Sequence, residues 1–299
     1  MNTEEYIEFN REVGQKVIMT DNCAWIFYDG YAHSFPQLEK ANPDLSDFRQ
    51  VFKHNINILL FRTDASFTNT YEYVFSGESY DLALFSSKIR NQIRKGMKSC
   101  IVRDADFESV SKRGFEINAA TLKRHNRSIA NLDNKDKWGT YISNFLNQKD
   151  VFVKGAYVGN NLIAYAIFLK VNGKYIIYHP FMDLEFSSSN PMNAILFSFI
   201  SEIISREGRI EVSYGLASFA EKSGLDKFKR GMLFTEKPAT RIAVIRKPLK
   251  WILNGATRYC LSLLGKTRLV NLDVIEKVDY LVASKDDYRK YIQYIRNTK

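Results

Sequence analysis

Val151-Phe-Val-Lys-Gly-Ala-Tyr-Val158, Gly159-Asn-Asn161, Leu162-Ile-Ala-Tyr-Ala-Ile-Phe-Leu-Lys-Val171, Asn172-Gly173 and Lys174-Tyr-Ile-Ile-Tyr-His-Pro-Phe-Met182 decide the fold. Val151–Val158 and Leu162–Val171 read as strands around a short polar turn. Asn172-Gly173 is a two-residue hairpin signal, because both residue types tolerate positive φ. Lys174–Met182 is the next strand. The loop Asp183–Asn190 leads to Pro191, which suits the first turn of a helix, where a missing N–H costs nothing. That helix carries Ile195, Phe199, Ile200 and Ile203 and stops at Gly208. Ile210, Val212 and Tyr214 then alternate with polar residues, as in a half-buried strand. A short helix follows with Phe228 and Lys229. The order is strand, hairpin, strand, helix, strand, the mixture of elements expected of an α/β protein.

Working outward, Cys23–Tyr28, Ile56–Phe61 and Thr70–Phe75 read as buried strands among loops holding Pro36 and Pro43. Ser86–Ser99 reads as a basic helix, with an apolar stripe of Ile89, Ile93 and Met97 beside Arg90, Arg94 and Lys98. Further helices are expected from about Phe107 to His125 and over Trp138–Leu146. Past Val244 the chain changes character. Pro248 is expected to start a helix with Leu249, Ile252, Leu253, Ala256, Cys260, Leu263 and Leu264 on one side and Lys250, Arg258, Lys266 and Arg268 around it. A last helix is expected over Asp286–Arg296. The apolar stripe predicts packing of this tail, although a basic amphipathic helix also suits peripheral contact with a membrane surface.

Composition bounds the function. The 299 residues are 45% hydrophobic and 25% charged, a globular balance. Cys23, Cys100 and Cys260 are far apart, as are His33, His54, His125 and His179, so neither a disulfide framework nor a metal site is expected. The polar start lacks the order of a secretory leader, and no run reaches the about 18 apolar residues of a spanning helix. A cytoplasmic location is expected. A net charge of +10 predicts an anionic partner: nucleic acid, a phosphorylated cofactor or substrate, or an anionic membrane. A basic surface serving only solubility has the same charge.

Three stretches carry a resemblance. Ser87-Lys-Ile-Arg90-Asn-Gln-Ile-Arg94-Lys95 is similar to a Ser-x-x-x-Arg-x-x-Ile-Arg-Lys pattern. The hairpin Gly155–Met182 runs into Asn190-Pro191 and its helix. Tyr214-Gly215 is followed by Leu225-Asp-Lys-Phe228-Lys229-Arg-Gly-Met-Leu-Phe234, similar to a Phe-Lys-x-x-(Phe/Met)-Gly signature, with Leu233 standing where glycine is common. Over residues 80–240 the chain resembles the FemABX-like branch of the GNAT acyltransferase superfamily. The resemblance implies an α/β fold with a mixed sheet, helices on both faces and a splayed cleft, with residues 1–100 a degenerate GNAT-like half, 101–245 the catalytic domain and 246–299 a helical tail packing back on the body. The tRNA-using members often carry an inserted helical arm, for which this sequence has no room.

It also implies N-acyl transfer to an amine, such as an amino sugar or cell-envelope precursor, either small or nucleotide-linked. The donor would be an acyl-coenzyme A thioester, with aminoacyl-tRNA second, and no metal takes part. Lys229 is the expected catalytic cation for the oxyanion, with Tyr214 and His179 as acid or base candidates. Asn190, Met192, Asn193 and Ala194, at a helix start, would offer amides to a donor pyrophosphate. The glycine-rich loop of ordinary GNAT enzymes is missing there. Arg90 and Arg94 would bind substrate phosphates, Phe228 would wall the acceptor site, and Asp183 would orient an ammonium. Each has a plain alternative: a solvated basic face for the arginines, core packing for Phe228 and His179, an N-capped helix for Asn190. A catalytically inactive module of this fold that binds tRNA or a membrane surface is the competing reading of the whole chain.

Overall fold

The structure, a computed structural model, describes residues 1–65, 67–124, 131, 132, 134–218, 223–253, 256, 257, 259 and 272–298. His125, Arg258, Cys260, Leu263, Leu264, Lys266 and Arg268, named above, lie outside these residues. The chain forms two compact units, each assembled from three stretches. The first holds Met1–Gly14, Tyr73–Gly215 and Gly224–Glu236; the second holds Gln15–Glu72, Leu216–Ser223 and Lys237–Lys299.

The helices are α1 (Thr3–Glu12), α2 (Leu45–Phe52), α3 (Ser87–Ser99), α4 (Phe107–Ser109), α5 (Phe115–Arg124), α6 (Lys135–Leu146), α7 (Pro191–Glu207), α8 (Ser223–Gly231) and α9 (Lys247–Ile252), with a further helix over Leu272–Thr298. The strands are β1 (Val17–Met19), β2 (Ala24–Phe27), β3 (Tyr31–Phe35), β4 (Ile58–Thr63), β5 (Thr70–Gly77), β6 (Ile101–Asp104), β7 (Val151–Val158), β8 (Asn161–Val171), β9 (Lys174–Met182), β10 (Ile210–Leu216) and β11 (Thr235–Ile245). The first unit's sheet runs β5-β10-β9-β8-β7-β6. The second unit's runs β1-β2-β3-β4-β11.

In the first unit the hairpin forms as its turn chemistry dictates. Asn172 and Gly173 take φ of 49° and 77°, the paired positive values that match the twist of the flanking strands. β8 is buried along nearly its whole length, which explains its unbroken apolar run. Its two faces are covered by different helices. Tyr165 meets Trp138 of α6 at 6.1 Å between ring centroids, and Phe168, on the opposite face, stacks on Phe199 of α7 at 3.7 Å. The mixed sheet with helices on both faces is thus observed.

Three expectations need correction. The first part of the chain contains helices as well as strands. Asn2 with Glu5 and Asp44 with Asp47 form capping boxes that start α1 and α2. The apolar stripe of α3 is Ile89, Ile93 and Gly96; Met97 is 48% exposed. In the tail, α9 ends at Ile252, helix resumes at Ala256, Thr257 and Tyr259 among the described residues, and Trp251 and Ile252 face solvent while Leu253 is buried. The last helix starts at Leu272 rather than near Asp286, and Tyr288, Tyr291, Tyr294 and Ile295 dock it on the second unit's core around Trp25, Phe48 and Phe61. The polar Lys285-Asp-Asp287 run stands just ahead of that stripe and makes the helix read as if it began there.

Candidate active site

The parallel pairing of β10 with β9 covers two residue pairs, Val212 with Tyr175 and Ser213 with Ile176. Both strands continue, β9 to Met182 and β10 to Leu216, so they part beyond that point. Gly215 follows at φ 82° with its N–H on Ser213 Oγ at 3.1 Å, bending β10 where the pairing stops. α7 connects the two strands, and its first residue follows Asn190, which is left-handed at φ 54°.

α8 brings Lys229 to this unit's interior. Asp226 and Lys229, three residues apart, lie on its buried face at 5% and 3% exposure. The helix ends in a Schellman motif: the Phe234 amide donates to Lys229 O (3.1 Å) and the Leu233 amide to Arg230 O (3.0 Å). Leu233 takes the left-handed position at φ 64°. The Lys229 ammonium then sits 4.4 Å from the Tyr73 ring centroid on β5 and 4.9 Å from that of Tyr214 on β10. Among the described residues it has no hydrogen-bond or ion-pair partner. Two aromatic faces attract a cation but do not neutralise it. Burial pushes the Lys229 pKa down to about 8, against an opposing pull from Asp226. Asp226 Oδ1 is itself buried, with no hydrogen-bond partner among the described residues. Burial raises the Tyr214 pKa, so its phenol stays protonated.

The surroundings tie α8 to α7. Asn193 Nδ2 contacts Met232 Sδ at 3.4 Å, and the Tyr80 hydroxyl donates to Met232 O at 2.9 Å. α3 lies against both helices. Ile89 packs where a side chain on Gly231 would be, and a Cβ on Gly96 would stand 2.6 Å from Asn190 O.

The structure therefore gathers Lys229, Tyr214 and Phe228, whose ring is 6.3 Å from that of Tyr214. Asn190, Met192, Asn193 and Ala194 form the start of α7, and all but Asn190 are buried. Arg90 is half-buried, with its guanidinium 3.5 Å from Ser87 Oγ; Arg94 is exposed on the same helix. Asp183 and His179 are committed elsewhere. Asp183 caps the turn at Glu185 N (3.0 Å) and pairs with Arg113. His179 Nε2 lies 3.1 Å from the Tyr141 hydroxyl, and burial pushes its pKa down to about 3, leaving a weak base. Tyr73 and Asp226 went unread in the sequence. Tyr73 looked like one more aromatic in a buried strand, whereas the i, i+3 spacing of Asp226 and Lys229 was a usable signal. Among the described residues no three His, Cys, Asp or Glu side chains converge as a metal site.

No family model and no curated relative matches the chain. Solved structures do. FemX superposes with a TM-score of 0.55 at 9% identity, covering 83% of this chain and 92% of its own. The C-terminal domain (DUF2156) of an Agrobacterium fabrum protein described as a lysylphosphatidylglycerol synthetase gives 0.51 at 13%, covering 91% and 98%. L-PGS from Bacillus licheniformis gives 0.51 at 10%, covering 93% and 92%. The chain has the FemABX/GNAT-like fold.

Proposed function

We propose that this protein transfers an acyl or aminoacyl group from an activated carrier to an amine, with Lys229 stabilising the oxyanion. The observation that carries the reading is the buried Lys229 ammonium, set between Tyr73 and Tyr214 with no anion paired to it among the described residues. The amine nitrogen attacks the carbonyl carbon, and negative charge collects on the carbonyl oxygen. A fixed, poorly solvated cation is worth most when aimed at such developing charge. As the carrier leaves with the bonding electrons, the Tyr214 hydroxyl hands it a proton and takes in exchange the proton that the attacking nitrogen sheds, so the tyrosine ends protonated as it began. The acceptor is an amino sugar or cell-envelope precursor. Likeness in fold to FemX and L-PGS supports this class of reaction without fixing the substrate.

Lys229→Ala should lower kcat by on the order of 10²–10³ with the fold intact. Because the cation is the working form, kcat should decline as pH rises through about 8. Activity that climbs across pH 8–9 would make the lysine a base and sink the oxyanion role.

For the carrier, a coenzyme A thioester comes first, with its pyrophosphate at the start of α7. Aminoacyl-tRNA is the second reading, favoured by one observation. Lys88, Arg94, Lys95 and Lys98 lie on the exposed side of α3, and among the described residues none is in an ion pair. Calorimetry with acetyl-coenzyme A and with charged tRNA, each at two salt concentrations, separates them. Saturable, weakly salt-dependent thioester binding supports the first. Its absence, with tRNA affinity falling steeply as salt rises, supports the second.

A further inference from the structure

α9 is fastened to the second unit: Leu253 is buried, and the Lys285 ammonium caps the helix end through the carbonyls of Lys250 (3.1 Å) and Leu253. At the end of α9 Trp251 is 77% and Ile252 61% exposed, and Tyr259, seven residues on from Ile252, is 65% exposed. These are the three most exposed large hydrophobic side chains among the described residues except for Ile101. Their setting is cationic. Arg246 and Lys247 precede them in the chain, Lys250 adjoins them with its ammonium 5.8 Å from the Tyr288 ring, the stretch Arg246–Tyr259 contains no acidic residue, and among the described residues none of the three cations is in an ion pair.

We infer that this face docks on an anionic lipid surface. An exposed Trp beside an aliphatic residue suits the water–acyl boundary, where an amphipathic ring has both apolar and polar surroundings, and the exposed Tyr259 is of the same kind. Flanking lysines and arginines are drawn to anionic headgroups and hold the apolar side chains at that depth. A nucleic-acid backbone would use the cations but leave Ile252 in water. A protein partner would call for carboxylates facing the cations, whereas a bilayer satisfies both properties at once. The lysine caps on the α9 carbonyls keep the helix folded in water, so the face is formed before it meets the surface. This inference does not depend on the reaction proposed for Lys229.

The chain offers its own reporter. Of its three tryptophans, Trp25 and Trp138 are fully buried, so a change in emission reports Trp251. The intact protein is titrated with vesicles of phosphatidylcholine mixed with phosphatidylglycerol, and with phosphatidylcholine alone. A blue shift with co-sedimentation is expected for the anionic vesicles, weakening as salt rises. Lys247→Ala should reduce the affinity roughly fivefold. Trp251→Ala with Ile252→Ala should reduce it at least tenfold, with far-UV circular dichroism and Tm unchanged because both side chains are exposed. Three results overturn the inference: no binding to anionic vesicles, binding that the double substitution leaves intact, or an emission shift produced without vesicles by added tRNA or by raising protein concentration.

Discussion

The carbonyl of Lys229 receives the Phe234 amide, so the backbone beneath the ammonium is fixed by the end of its own helix. That fixation depends on Leu233 holding a conformation that glycine adopts at no cost. A β-carbon there costs about 1 kcal/mol. Leu233→Ala keeps that strain and loses packing, whereas Leu233→Gly relieves it. Glycine should therefore be the milder substitution by about 0.5–1 kcal/mol, the reverse of the usual order at a half-buried leucine, as urea unfolding would show. Lys229 has a cost of its own. Its folded pKa, about 8, lies below its ordinary 10.5, so between those values the unfolded chain binds more protons at this site. Stability contributed by the site rises with pH across that window and is lowest below pH 8. The stability of the wild type relative to Lys229→Met should increase from pH 8 to 10, measured by urea unfolding at each pH; a flat difference would show that the ammonium is as well solvated as in the unfolded chain.

Between elements, α3 lies close against the start of α7 at Gly96. Two expectations compete at Gly96. Helix propensity predicts that alanine stabilises α3 by about 1 kcal/mol. Sterics predict the opposite, because the new Cβ would meet backbone Asn190 O at 2.6 Å and Ala194 Cβ at 3.0 Å, neither of which can swing aside. Overpacking of this kind costs about 1–3 kcal/mol and should win. Gly96→Ala should lower Tm, and it should raise KM for the donor more than it lowers kcat, since it displaces the helix start and not Lys229. A higher Tm would mean that the two helices are not in the contact described.

Across the whole molecule, each unit holds a histidine kept neutral by burial. His33 is pushed down to about 4, with its Nδ1 2.8 Å from Ser34 O, and His179 to about 3. In both cases the folded pKa lies below the ordinary 6.5, so the unfolded chain binds more protons in the interval. Stability rises with pH there and is lost as pH falls from 6.5 toward 4. Each histidine subtracts up to about 1.4 kcal/mol per pH unit. Unfolding free energy should decline steeply below pH 6.5, and His33→Phe or His179→Gln should each flatten the slope; an unchanged slope in both variants would show that these rings are protonated in the fold.

The sequence by itself determined the local order of the first unit: the Asn172-Gly173 turn, the strands on either side of it, Pro191 at the start of α7 and Gly208 at its end. These rest on turn conformations and helix caps that act within a few residues, so they are legible wherever they occur. The same holds for Lys229 and Leu233, which stood out as positions in a pattern. Tertiary structure decided what those residues meet. Tyr73 lies far from Lys229 along the chain and becomes its neighbour only when β5 and β10 join one sheet. Gly96 reads as a weak point in a helix until α7 is placed against it. Asp183 and His179 looked free in one dimension and are engaged in three by Arg113 and Tyr141. The tail shows the limit most plainly. Its apolar spacing predicts packing, yet spacing fixes which side chains share a face of a helix and not which of them finds a partner: of that stripe the structure buries Leu253 and turns Ile252 outward.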